Sequence, residues 1–170
     1  MSDPGKWLQA NVPEWPQLEI KERRAIRDFP ILWALFELHA TGQNGQRPNA
    51  NPRRICESVA HLVALPAILG QLESARLHFA GRYFLNGHPT QAWHVLNVDG
   101  QYTVRVQTGL TAQNADNRQV LVALLLVINR LRNNYLHGEK ARYGFHDQYL
   151  NFRHANNVLM EVINLWPRPA

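Results

Sequence analysis

The chain has 170 residues, 45% hydrophobic and 18% charged, a balance that excludes intrinsic disorder and supplies one buried core but not two ordinary domains. A formal charge of +5 and a pI near 9.8 favour a polyanionic partner, with nucleic acid ahead of anionic lipid because no strongly basic amphipathic helix is evident. A single cysteine, Cys56, excludes an intrachain disulfide framework, and the longest apolar run, nine residues from Val120 to Ile128, is far short of the roughly 20 that a spanning helix needs. The opening residues lack the apolar stretch of a secretory signal, so a cytoplasmic location is expected.

In chain order, residues 1–18 carry three prolines and two tryptophans, Trp7 and Trp15, with little periodicity, and read as an extended arm. One helical domain is expected over 19–170. From Leu18 to Ala40 the apolar residues Ile20, Ala25, Ile26, Phe29, Leu32, Trp33, Phe36 and Ala40 recur mostly at helical spacing, with a kink or split expected at Pro30. Residues 41–52 read as a loop. A second helix starts with Asn51 as N-cap and Pro52 at the first helical position, is interrupted at Pro66, and resumes toward Phe84 with Gly87-His88-Pro89 as its stop.

Residues 88–115 are the least helical part: Gln101 to Val106 alternates like a short strand after Asp99-Gly100, and the segment reads as an extended connection. Asp116 and Gln119 have the spacing of a capping box ahead of Val120–Ile128. That run is apolar on every side, so its helix has to be covered all round, by the chain's own helices or by a second subunit. Gly138 ends it. Asp147 is the expected N-cap of a last helix that places Tyr149, Phe152, Leu159, Val162, Ile163 and Trp166 on one broad face before Pro167.

The apolar helix ends in Asn129-Arg130-Leu131-Arg132-Asn133-Asn134-Tyr135-Leu136-His137-Gly138-Glu139-Lys140. A basic last turn closed by glycine is a common way to complement a helix dipole. Two adjacent asparagines and a histidine at the end of a buried helix are not, because each leaves polar atoms in need of partners. RNA cleavage requires a base for the 2′-hydroxyl proton, an acid for the leaving 5′-oxygen and a cation for charge gathering on the phosphate. His137 can transfer protons near neutral pH, and Arg132 can grip phosphate oxygens with its planar fork. Neither role needs a metal or cofactor.

Arg132-Asn133-Asn134-Tyr135-Leu136-His137-Gly138 closely resembles the Arg-x4-6-His signature of HEPN domains, above all those reading Arg-Asn-Asn-x-x-His-Gly. The resemblance is specific over residues 116–166 and topological over the N-terminal half. It implies an all-α bundle of about four to five helices, dimeric, that cuts RNA without metal and leaves a 2′,3′-cyclic phosphate, acting in toxin-antitoxin, phage-defence or RNA-processing systems. It assigns catalysis to Arg132 and His137, assisted by Asn133, and admits a neutralising antitoxin as partner; Asn134, Tyr135 and Lys140 are lesser candidates, as substrate contacts, and Tyr135, one turn after Leu131, reads equally as core packing. Glu139 stands where families controlled by a nucleotidyltransferase antitoxin carry tyrosine, so that form of control is not implied.

On one regular helix, five steps from residue 132 to 137 place the two side chains roughly 140° apart. A distorted helix end or a two-fold axis pairing two motifs would bring them to one phosphate, and the all-round apolar helix offers surface for such a pairing. Asn133 and His137, four apart, can share a face. The alternatives are a non-catalytic helical module that binds RNA or a nucleotide, and a basic subunit neutralised by an acidic protein. Glu37, on the first long helix, stands where some HEPN families place a polar residue near the site, though a solvated or salt-bridged side chain is the simpler reading. Histidines 39, 61, 78, 88, 94, 146 and 154 form no His-x3-His zinc pair, Cys56 reads as core filling, and no phosphate-binding glycine loop occurs. Arg23, Arg24 and Arg27, with Arg53 and Arg54, could track an RNA backbone, though solvated faces are the simpler reading.

Overall fold

The computed structural model describes residues 3–42, 47–62, 70–136, 145 and 147–166. Eight α-helices lie among them, α1 (Pro4–Asn11), α2 (Ile20–Thr41), α3 (Pro52–Ala60), α4 (Gly70–Tyr83), α5 (Gln91–Leu96), α6 (Gly100–Thr111), α7 (Asn117–Leu136) and α8 (Tyr149–Ile163), with a two-stranded hairpin, β1 (Phe84–Leu85) and β2 (His88–Pro89), between α4 and α5. The all-α class is as the sequence indicates. The helices number eight rather than four or five because the two segments read as irregular are themselves helical.

The first of these is the N-terminal arm. Asp3 caps α1 by accepting from the Gly5 amide at 2.8 Å, and Pro4 occupies the first helical position, where a missing N–H costs nothing. A short 3₁₀ turn, Trp15–Gln17, follows. Trp15 is 6% exposed and meets Phe145 edge-on at 6.0 Å, whereas Trp7 stays 57% exposed. Glu14 accepts from the Phe145 amide at 2.6 Å, which ties this segment to the approach to α8.

The second is the stretch 88–115, where the expected extended connection is replaced by α5 and α6. Its alternation is real but local. Val106, Gly109 and Leu110 are buried at helical spacing, and Gly109 brings α6 so close to α7 that a Cβ there would overlap the Gln119 carbonyl and lie 2.5 Å from the Ala123 methyl. Asp99 caps the helix by accepting from the Gln101 amide. Tertiary burial overrides the β-propensity of Thr103, Val104 and Val106. Gly87-His88-Pro89, expected as a plain stop, is half of the hairpin: Asn86 and Gly87 have φ of 51° and 79°, the left-handed pair a two-residue turn requires.

Helix α2 starts in a Glu19/Glu22 capping box and runs unbroken through Pro30, so the expected split is absent. The buried residues Ala25, Ile26, Phe29, Trp33 and Phe36 hold it along its length, and α2 with α8 and α6 with α7 are the two most extensive helix pairs. Asn51 and Pro52 begin α3 as expected, with Asn51 accepting from the Arg54 amide at 3.0 Å. The capping box of α7 is reciprocal: the Asp116 amide donates to Gln119 Oε1 at 2.9 Å and the Gln119 amide to Asp116 Oδ1 at 2.8 Å. Every residue from Val120 to Ile128 is buried, under α3, α4, α5, α6 and α8. The chain therefore covers its own apolar run, and no second subunit is needed there. Gln148, not Asp147, is the N-cap of α8, because Asp147 takes a left-handed φ of 57° just before it. Pro66, His137, Gly138, Lys140 and Pro167 lie outside the described residues. No helix among those described is long and apolar enough to cross a membrane.

Candidate functional site

The last turn of α7 brings together Arg132 and Asn133, with Arg132 Nη1 donating to Asn133 Oδ1 at 3.0 Å. The guanidinium lies over the Trp33 ring of α2, 5.9 Å from its centroid, a distance at which a cation is drawn to the ring face. Its Nε is enclosed and has no hydrogen-bond partner among the described residues. Behind this pair runs a chain of amides. Asn133 Nδ2 donates to Asn129 Oδ1 at 3.5 Å, and Asn129 Nδ2 donates to the Ala50 carbonyl at 3.0 Å. The Ala50 amide in turn donates to Glu37 Oε1 at 2.8 Å.

Glu37 is therefore neither simply solvated nor salt-bridged; it clamps the backbone that precedes α3. Thr41 supports the same corner by donating to the Glu37 carbonyl at 2.7 Å and accepting from the Asn49 amide at 2.9 Å. Asn129 was not visible as a site residue from motif spacing. Its signal is its position: one buried amide directly after nine apolar residues has to find two partners.

The other described candidates face elsewhere. One step of about 100° beyond Asn133 turns Asn134 toward α5, where its Nδ2 donates to the Val95 carbonyl at 3.4 Å; Arg130 Nε reaches the neighbouring Leu96 carbonyl at 3.2 Å. Both thus satisfy carbonyls that the short helix α5 leaves open at its C-terminus. Tyr135 packs edge-on against Phe29 and Phe152, at 6.3 and 5.6 Å, and burial pushes its hydroxyl above the ordinary phenol range. The structure thus separates the proposed substrate contacts Asn134 and Tyr135 from the Arg132–Asn133 pair. His137 and Lys140 lie outside the described residues.

Two features stand apart from the motif. A cleft of about 560 Å³ between α3, α6 and the start of α7 is lined by Cys56, Val104, Arg105, Arg118 and Val122 among others. Fourteen residues of helix, about 21 Å, separate Arg118 from Arg132. Arg118 is committed there: Nη1 donates to the Val59 and Ala60 carbonyls at 2.6 Å and Nη2 to Leu62 at 2.9 Å, closing the end of α3. Between α4 and α8, His78 and His154 stack at 4.5 Å, and His78 Nε2 meets Asn151 Oδ1 at 2.9 Å.

The basic clusters are largely engaged in local structure. Arg23 donates to the Pro16 carbonyl, Arg27 to that of Arg23, and Arg53 pairs with Glu57 at 2.8 Å. Among the described residues, no three His, Cys, Asp or Glu side chains come together as a metal site. No family model, curated protein or solved structure matches the chain.

Proposed function

We propose that the chain is a metal-independent endoribonuclease of the HEPN type, with Arg132, Asn133 and His137 as its catalytic residues. The observation that carries this reading is the Arg132–Asn133 pair, joined at 3.0 Å on the last turn of α7, five residues before the histidine that the motif supplies. In the proposed reaction the 2′-hydroxyl attacks the adjacent phosphorus, the bond to the 5′-oxygen breaks, and a 2′,3′-cyclic phosphate and a free 5′-hydroxyl result. His137 takes or returns the proton, Arg132 balances charge on the equatorial oxygens, and Asn133 orients the guanidinium. RNA is the substrate and a second copy of the chain the partner that completes the site; toxin or phage-defence action would follow from unguarded cleavage.

The test is cleavage of RNA by the purified chain in EDTA. Arg132→Ala and His137→Ala should each abolish it while shifting Tm little. Undiminished cleavage in both variants removes the proposed site, and RNA binding without turnover in the wild type favours the non-catalytic binding module instead.

A further inference from the structure

We infer that Asn129 is the positioning residue of the Arg132–Asn133 pair, an inference that rests on the ribonuclease reading and adds to it a residue outside the Arg-x4-His spacing. Asn129 is 4% exposed and follows nine buried apolar residues on α7. A carboxamide there costs folding energy unless both of its halves are hydrogen-bonded. A leucine-sized apolar group would pack in its place without that demand.

What the amide supplies is direction. The Ala50 carbonyl can only accept, so it fixes which half of Asn129 is Nδ2. Oδ1 then has to face Asn133, whose Nδ2 donates to it; this leaves Asn133 Oδ1 pointing at Arg132. Ala50 is itself held by the bond from its amide to Glu37. An acceptor-only carbonyl at one end and a donor-only guanidinium at the other are thereby joined by two amides running in one sense, and Asn129 is the link that anchors the Asn133 side chain, and with it Arg132, to the backbone before α3. Without Asn129, the Asn133 side chain loses the contact that holds its rotamer and can swing away from the inner face, carrying the guanidinium with it.

Asn129→Leu removes both amide bonds at nearly constant volume. In the full-length chain we expect turnover of RNA to fall about ten-fold or more, as for a slightly misplaced catalytic group, while affinity for a non-cleavable 2′-deoxy analogue changes by no more than about two-fold. Hydrogen exchange at Arg132 Nε–H, read by NMR, should speed up while the core amides of α7 keep their protection. Unchanged turnover in a folded Asn129→Leu chain, or a loss of affinity equal to the loss of turnover, overturns the assignment. If the wild-type chain cleaves no RNA, the ribonuclease reading fails by itself; the exchange measurement still decides the positioning, which falls if Arg132 Nε–H is unaffected. Should Asn129→Leu not fold, Asn129→Ser, whose hydroxyl can donate to Ala50 but offers no second amide to Asn133, is read in the same way.

Discussion

At the scale of single residues, burial decides what each polar side chain of the motif region is for. Arg132 and Asn133 stand out in the sequence because two adjacent asparagines and a histidine are an unusual end for a buried helix, in the spacing of the Arg-x4-His motif. Asn129 does not, because its importance comes from Ala50, 79 positions away, and no local spacing encodes that contact. Asn134 and Tyr135 are the lesser candidates of the motif, and successive turns of about 100° deliver one to α5 and the other to the Phe29–Phe152 cluster, the core packing that its spacing from Leu131 also allows.

The same rule predicts a pH response away from the motif. Burial, with the neighbouring His78 and Arg153 adding to it, pushes His154 down from 6.5 to about 4; burial and Arg82 also lower His78, opposed by its bond to Asn151. Between those limits the unfolded chain binds a proton that the folded chain refuses. Stability is then complete above about pH 6.5 and declines as pH falls toward about 4. Tm measured from pH 7.5 to 4.5 should drop accordingly, and His154→Phe should flatten part of that slope. A wild-type Tm constant over this range would show that the stacked pair does not resist protonation.

Among the elements, α2, α3 and α8 were readable because the periodicity of one apolar face records the packing directly, and α7 because a capping box precedes its continuous apolar run. The misread elements share a different cause. Proline density concealed α1, although Pro4 sits where a helix accepts it, and the β-branched residues of α6 concealed the packing of Gly109 on α7.

Glycine substitution separates intrinsic preference from packing. Gly81, in the last turn of α4, is exposed and would place a Cβ in open space, so Gly81→Ala should stabilise by up to about 1 kcal/mol through helix propensity alone. Gly109→Ala gains the same propensity but drives a methyl into the Gln119 backbone, and overpacking of this kind costs about 1–3 kcal/mol. Urea unfolding should therefore show shifts of opposite sign at the two sites. A stabilising Gly109→Ala would mean that α6 and α7 are not held at the observed separation.

For the molecule as a whole, the covered face of α7 changes where a dimer could form. The apolar run offered in the sequence as a contact for a second chain is consumed inside this one, so beside the family resemblance the case for two copies rests on angle. Arg132 and His137 diverge by roughly 140° on a regular helix. If a site takes its arginine from one chain and its histidine from the other, Arg132→Ala and His137→Ala should complement. In a mixed dimer one composite site has lost both groups while the other keeps both. Random pairing on co-expression puts half of the dimers in the mixed state, each with one of two sites intact, so about a quarter of wild-type RNA cleavage should return. A site built within one chain predicts no recovery, because neither chain of the mixed dimer then holds both residues. Light scattering on the same preparation gives the oligomeric state independently: a monomer with full activity would require the end of α7 to bend His137 back toward Arg132, whereas a dimer that recovers a quarter of the activity places the reactive phosphate between two chains.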